Sequence, residues 1–221
     1  MVTAALLLLA DSRFPTGAHA HSAGTEASHG RGDIRTLDDL AAFVDGRLAT
    51  TVRTEAAFAA ASCAQPRRRD ELDHELAIRT PSPRLRVVSR TLGRQLLRAA
   101  ARAWPDVPAA ELRALHPDGP MQPIALGAVA AAAGLSPHEA ALCSLHHLLG
   151  AVTTAAVRLL GLDPFDVQAL AAARAGGLDE LAADAASLAV TEPAELPAVT
   201  SLLADALAEH HTTWEVRLFA S

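Results

Sequence analysis

Ser136-Pro-His-Glu-Ala-Ala-Leu-Cys-Ser-Leu-His-His-Leu-Leu-Gly-Ala-Val-Thr-Thr-Ala-Ala-Val-Arg-Leu-Leu-Gly161 is the stretch that decides the fold class. Ser136 suits an N-cap and Pro137 the first helical position, and Glu139 at the third can reach back to close a capping box. At 100° per residue, Leu142, Leu145, Leu149, Val152, Ala156 and Leu159 share one face, which predicts a long amphipathic helix. His147, Gly150, Ala151, Thr154, Arg158 and Gly161 share the opposite face. A face turned to water usually carries several Glu, Asp and Arg; this one has a single arginine among small residues. The stripe predicts close packing, either by another helix or by a partner protein.

The rest of the chain is built of similar material. Half of its 221 residues are hydrophobic yet only 3% are aromatic, tyrosine is absent, and about a quarter are alanine. Ala and Leu are strong helix formers, and strand formers other than Val are scarce. The expectation is an all-α, single-domain bundle of about eight to ten helices over residues 1–221, large enough to bury roughly 70% of its unfolded surface. Outward from the central stretch, helices are expected over about 123–134, 85–104 and 71–79. A long one should run from the capped Thr36 towards Cys63, with Gly46 as its candidate kink. Shorter ones are expected over 3–11 and from Ser22 to Gly30. Beyond Pro164 they are expected over 165–174, 178–190 and 194–211, with Gly176-Gly177 and Glu192-Pro193 as breaks. Pro105–Pro123 holds five prolines and reads as a loop with a short turn near 109–115. The Arg67–Arg69 triplet, followed by Asp70, Glu71, Asp73 and Glu75, reads as a solvated loop. Gly93 costs about 1 kcal/mol in a helix, offset only if a neighbour or partner packs on bare backbone. Trp214–Phe219 is a short apolar tail expected to dock on its own domain or on a partner.

A second informative stretch lies near the start: Leu6-Leu-Leu-Leu-Ala-Asp-Ser-Arg-Phe-Pro-Thr-Gly-Ala-His-Ala-His-Ser-Ala-Gly-Thr-Glu26. The apolar run is too short for a bilayer, which needs about 20 residues. Pro15 and Gly17 force a turn, and the small residues after it permit close approach. Leu9-Ala10-Asp11-Ser12, Pro15-Thr16-Gly17-Ala18, Ser22, Gly24 and Glu26 together resemble the N-terminal signature of the UreF family of urease accessory proteins. The helix around Gly93, the Ala-rich segment 123–134, and Val157–Gly161 with Gln168 downstream are similar to further segments of that family. The family commonly has Gly-Gln where this chain has Leu162-Asp-Pro164.

Chemistry outside that resemblance is sparse. The net charge of −6 argues against nucleic acid as a partner. All 19 basic residues are arginine, which leaves no lysine for a phosphate loop or Schiff base. No Gly-x-Ser-x-Gly or Gly-x-x-x-x-Gly-Lys motif occurs, and no carboxylates pair by spacing, so no enzyme is indicated. Cys63 and Cys143 are isolated and suggest neither zinc nor a disulfide framework. No signal sequence or membrane span is expected, which makes the cytoplasm the default, and there the Arg31-Gly-Asp33 tripeptide has no adhesive meaning. His19-Ala-His21 could place two imidazoles on one side of an extended chain, whereas His146-His147 and His210-His211 would diverge on a helix. Interface histidines are the simpler reading, and no metal or cofactor is assigned. Direct nickel binding through the His19/His21 region is the alternative.

The resemblance implies a helical homodimer that binds UreD (UreH), recruits the nickel-binding GTPase UreG and helps activate apo-urease by nickel insertion, with control of GTP hydrolysis as a further role. On that reading Pro15, Thr16, Gly17, Ser22, Gly24, Glu26, Gly93, His147, Thr154, Arg158 and Gln168 belong to partner-binding surfaces.

Overall fold

The computed structural model describes residues 4–17, 20–215 and 218–219. Among them are twelve α-helices and no strand: α1 (Ala4–Ala10), α2 (Thr25–Arg31), α3 (Leu37–Leu48), α4 (Thr51–Ala64), α5 (Arg69–Ile78), α6 (Pro83–Ala103), α7 (Ala109–Ala114), α8 (Gln122–Ala132), α9 (Pro137–Leu160), α10 (Pro164–Ala172), α11 (Ala175–Ser187) and α12 (Leu202–His211). Two 3₁₀ turns, Pro66–Arg68 and Pro193–Glu195, complete the set. The all-α expectation holds, and the helix count exceeds the expected eight to ten for local reasons.

The run expected from Thr36 to Cys63 is two helices. Gly46 stays helical, and the break comes at Ala49-Thr50, where the Thr50 hydroxyl donates to the Gly46 carbonyl at 2.8 Å. A threonine hydroxyl that satisfies a carbonyl of the preceding turn competes with the backbone ladder. Nor do Gly176 and Gly177 make a break, since both lie in the first turn of α11. The chain turns earlier, at Ala173-Arg174, where Arg174 reaches back to α3 and bonds the Asp45 carboxylate at 2.7 and 2.8 Å. The last helix begins at Leu202 rather than Ala194, because Pro197 holds Leu196 extended (ψ 156°).

α4 lies at the centre. Ala56–Ala61 are all at most 1% exposed, so from Ala56 onward this helix has no polar face and owes its stability to neighbours on every side. Its closest neighbour is α8. A methyl group on Gly127 would overlap the Ala59 carbonyl oxygen and crowd the Cys63 amide. Ser62 Oγ donates to the Ile124 carbonyl at 2.7 Å across the same seam. Small residues therefore let the two backbones touch, and many short contacts stand in for large side chains.

α9 packs along the other side of α4. Its capping box forms as the sequence predicts: Glu139 N–H donates to Ser136 Oγ at 3.3 Å, and Ser136 N–H to Glu139 Oε2 at 2.8 Å. Leu145, Leu149, Val152 and Ala156 enter the core shared with α3, α4, α10 and α11, while Ala140 and Cys143 enter a second core with α1, α6 and α8. Among the described residues α9 is the one helix long and apolar enough to cross a membrane, but 61% of its most apolar stretch is buried in the bundle. Burial on two sides accounts for that composition.

Two polar features differ from expectation. Arg69 is not solvated: it is 7% exposed and donates through Nε to the Ser62 carbonyl at 3.0 Å. Asp73 forms a buried pair with Arg90 at 3.0 Å and accepts the Met121 amide at 2.7 Å, while Arg90 donates to the Gly119 carbonyl at 2.6 Å. This network fastens the proline-rich loop over α6, where Gly93 gives the Pro120 carbonyl room against bare backbone. The close neighbour that Gly93 requires is thus supplied by its own chain.

Gly127→Val should destabilise the fold by about 1–3 kcal/mol or more, since the obstructing group is backbone and cannot turn aside. Urea denaturation should show a lower midpoint with an unchanged slope.

Candidate functional site

The opening turn delivers the chain to α2 through Gly24, whose left-handed φ of 89° sets the entry. Glu26 follows in the first helical turn, where the helix dipole favours a carboxylate. It is only 6% exposed, and its own amide donates to Ser22 Oγ at 3.3 Å. Glu26 Oε1 accepts the Leu218 amide at 2.7 Å, and Oε2 accepts the Phe219 amide at 3.1 Å and His211 Nε2 at 2.9 Å. One buried carboxylate thereby gathers α2, α12 and the C-terminal segment.

Aromatic contacts complete the closure. Trp214 lies on the bare backbone of Gly30, where any side chain would collide with the indole, and its Nε1 donates to His210 Nδ1 at 3.1 Å. The Phe219 ring is buried, with the Arg158 guanidinium 4.8 Å from its centroid. Arg158 itself is exposed at the end of α9. The two stretches singled out in the sequence therefore meet through the apolar tail, which docks on its own domain.

The other candidates are distributed around this surface and away from it. His147 Nε2 lies 2.9 Å from the Leu9 carbonyl and ties α9 to α1; burial pushes its pKa down. The Leu9 carbonyl can only accept, so Nε2 is the protonated nitrogen of this hydrogen bond. Pro15, Thr16 and Gly17 form the turn, and Gly17 packs against the Gln95 side chain of α6. Thr154 is exposed on α9 and Gln168 on α10. Ser22 and Glu26 are buried, and Gly93 is buried under Pro120, so these three are occupied by the chain itself. His19 lies outside the described residues. Among those described, no three His, Cys, Asp or Glu side chains converge as a metal site. Burial pushes the Cys63 thiol up to about 11 and that of Cys143 to about 12, which removes nucleophilic thiolate chemistry.

The two large aromatics of an aromatic-poor chain mark Trp214–Phe219 as a docking tail; sequence reading missed His211 and Gly30, which receive it.

Fold and surface define an all-helical protein whose opening motif and C-terminal segment close on one another. Comparison with known proteins is specific. The UreF family model matches residues 34–175. The urease accessory protein UreF of Mycobacterium sp. (strain JLS) is 42% identical over 217 residues, covering 98% of this chain and 97% of the relative. That of Mycobacterium marinum is 41% identical over 222 residues and covers both chains completely. The Mycobacterium tuberculosis H37Rv protein of the same name is 38% identical over 220 residues, covering 99% and 98%. The chain belongs to the UreF family.

Glu26→Ala should free the C-terminal segment. Amide exchange at Leu218 and Phe219 should quicken by about tenfold or more, as expected for lost hydrogen bonds to a charged acceptor (about 1.5–3 kcal/mol), and Trp214 fluorescence should shift in a Trp104→Phe background. His147 makes a separate prediction. A histidine whose folded pKa is depressed binds fewer protons folded than unfolded, so its contribution to stability is present above its ordinary pKa of 6.5 and lost as pH falls below it. His147→Gln should flatten the decline in stability between about pH 6.5 and pH 5.

Proposed function

We propose that this chain serves urease maturation in the cytoplasm as a non-enzymatic, homodimeric helical scaffold. It bridges UreD (UreH) and the GTPase UreG, and helps deliver nickel to apo-urease. Its relatives carry the name urease accessory protein UreF along nearly their whole length. The observation that carries the reading is the meeting of the opening motif, the Arg158 stripe and the aromatic tail on one surface. Arg158 is held there by one aromatic face. Such a contact is worth about 0.5–1 kcal/mol at an exposed site, so a partner's carboxylate or a nucleotide phosphate can redirect the guanidinium at little cost. An arginine of that kind can both anchor a GTPase and influence its hydrolysis. Thr154 and Gln168, exposed nearby in sequence, extend the docking assignment along α9 and α10.

Co-purification with UreD and UreG is the direct test, and failure of both to bind would sink the proposal. Arg158→Ala should weaken capture of a partner while lowering the melting temperature by less than about 4 °C, the size expected from losing one exposed cation–π contact. A large loss of melting temperature with normal capture would reassign Arg158 to internal packing.

A further inference from the structure

A cavity of about 180 Å³ runs between α3, α4, α6, α9 and α12. Its walls are mainly apolar, with Leu85, Val88 and Leu92 from α6 facing Leu148 of α9 and Ala204 and Ala208 of α12. Its polar end is of a different character. Arg47 from α3 and Glu55 from α4, both half-buried, line it, with Asp205 near Arg47. The Arg47 Nε is shut off from solvent and has no hydrogen-bond partner among the described residues. Arg47 and Glu55 feel each other's charge, and burial pushes the arginine pKa down and the glutamate pKa up. No described hydrogen bond or ion pair joins either side chain to the other. Asp205, by contrast, is already engaged, accepting the Ser82 amide at 3.3 Å and the Thr200 hydroxyl at 2.9 Å.

Opposite charges held apart at one end of an apolar cavity are costly unless something satisfies both. The chemistry that does so carries an anion and a cation next to each other on an apolar body. We propose that this cavity binds a free apolar α-amino acid, its carboxylate on Arg47, its ammonium on Glu55, and its side chain among the leucines of α6 and α9. Guanidinium is well suited to a carboxylate, which it can grip with two parallel N–H groups. The Glu55 carboxylate accepts from the ammonium, while Asp205, whose charge acts on Arg47, is held by its own hydrogen bonds to Ser82 and Thr200. Size agrees: a cavity of about 150 Å³ accommodates benzene, and a leucine side chain is smaller than that ring.

The test uses the full chain and three probes: L-leucine, 4-methylpentanoate (the same skeleton without the ammonium) and 3-methylbutylamine (without the carboxylate). Calorimetry and thermal unfolding should show leucine binding at millimolar concentration or better and raising the melting temperature, with each half-molecule at least tenfold weaker. Arg47→Met should abolish the advantage of leucine over the amine, and Glu55→Gln its advantage over the acid. No leucine binding at millimolar concentration would overturn the assignment, as would a half-molecule that binds equally well, or leucine affinity untouched by both substitutions. If Arg47→Met does not fold, the probe series on the unaltered protein decides the question alone.

Discussion

Backbone contact between α4 and α8 is the constraint on which the rest of the structure depends. Where Gly127 meets the Ala59 carbonyl, two helices approach more closely than side chains would allow. An interior of alanine cannot gain much from any one residue, so the gain has to come from many short-range contacts. That requirement explains why α4 is buried on every side from Ala56 to Cys63 and why α8 carries almost no polar side chain. It also explains the position of α9, which lies against α4 and buries Leu145 and Leu149 in one core and Ala140 and Cys143 in another.

Around this apolar centre, arginine does most of the polar work. Arg69 and Arg90 are both 7% exposed, and each ends on a backbone carbonyl. Arg174 joins α10 and α11 to α3 through Asp45. A planar guanidinium with five donors can satisfy several acceptors from one place and is weakly hydrated, so it tolerates such positions better than an ammonium. Half-buried Arg47 and Arg79 each keep an Nε without an acceptor among the described residues, and Arg158 is exposed and held by an aromatic ring.

Glu26 performs the corresponding task for the C-terminal segment. A carboxylate at a helix N-terminus that accepts two amides and an imidazole is a strong local organiser. It makes the opening motif part of a closed surface instead of a free loop. Beside that surface Arg158 and Thr154 stand exposed on α9, the arginine over the Phe219 ring.

Periodicity and capping chemistry are local, and they were legible. Ser136-Pro-His-Glu139 announced α9, Thr36 with Asp39 announced α3, and the alanine content announced close helices. The breaks at Thr50 and Arg174 were not legible, because they depend on where a hydroxyl or a guanidinium finds its acceptor once helices have packed. Nor could spacing reveal that Asp73 would be buried against Arg90, seventeen positions away, or that Arg69 would leave its basic neighbours and enter the core. The candidate site shows the same division. The sequence by itself determined an all-helical chain with two unusual small-residue surfaces and an apolar tail, since those properties follow from side-chain pattern and backbone propensity. Only the tertiary structure decided that Glu26 would hold the segment bearing Phe219, 193 positions away, and that Phe219 would meet Arg158. Such contacts form only after packing has brought distant elements together.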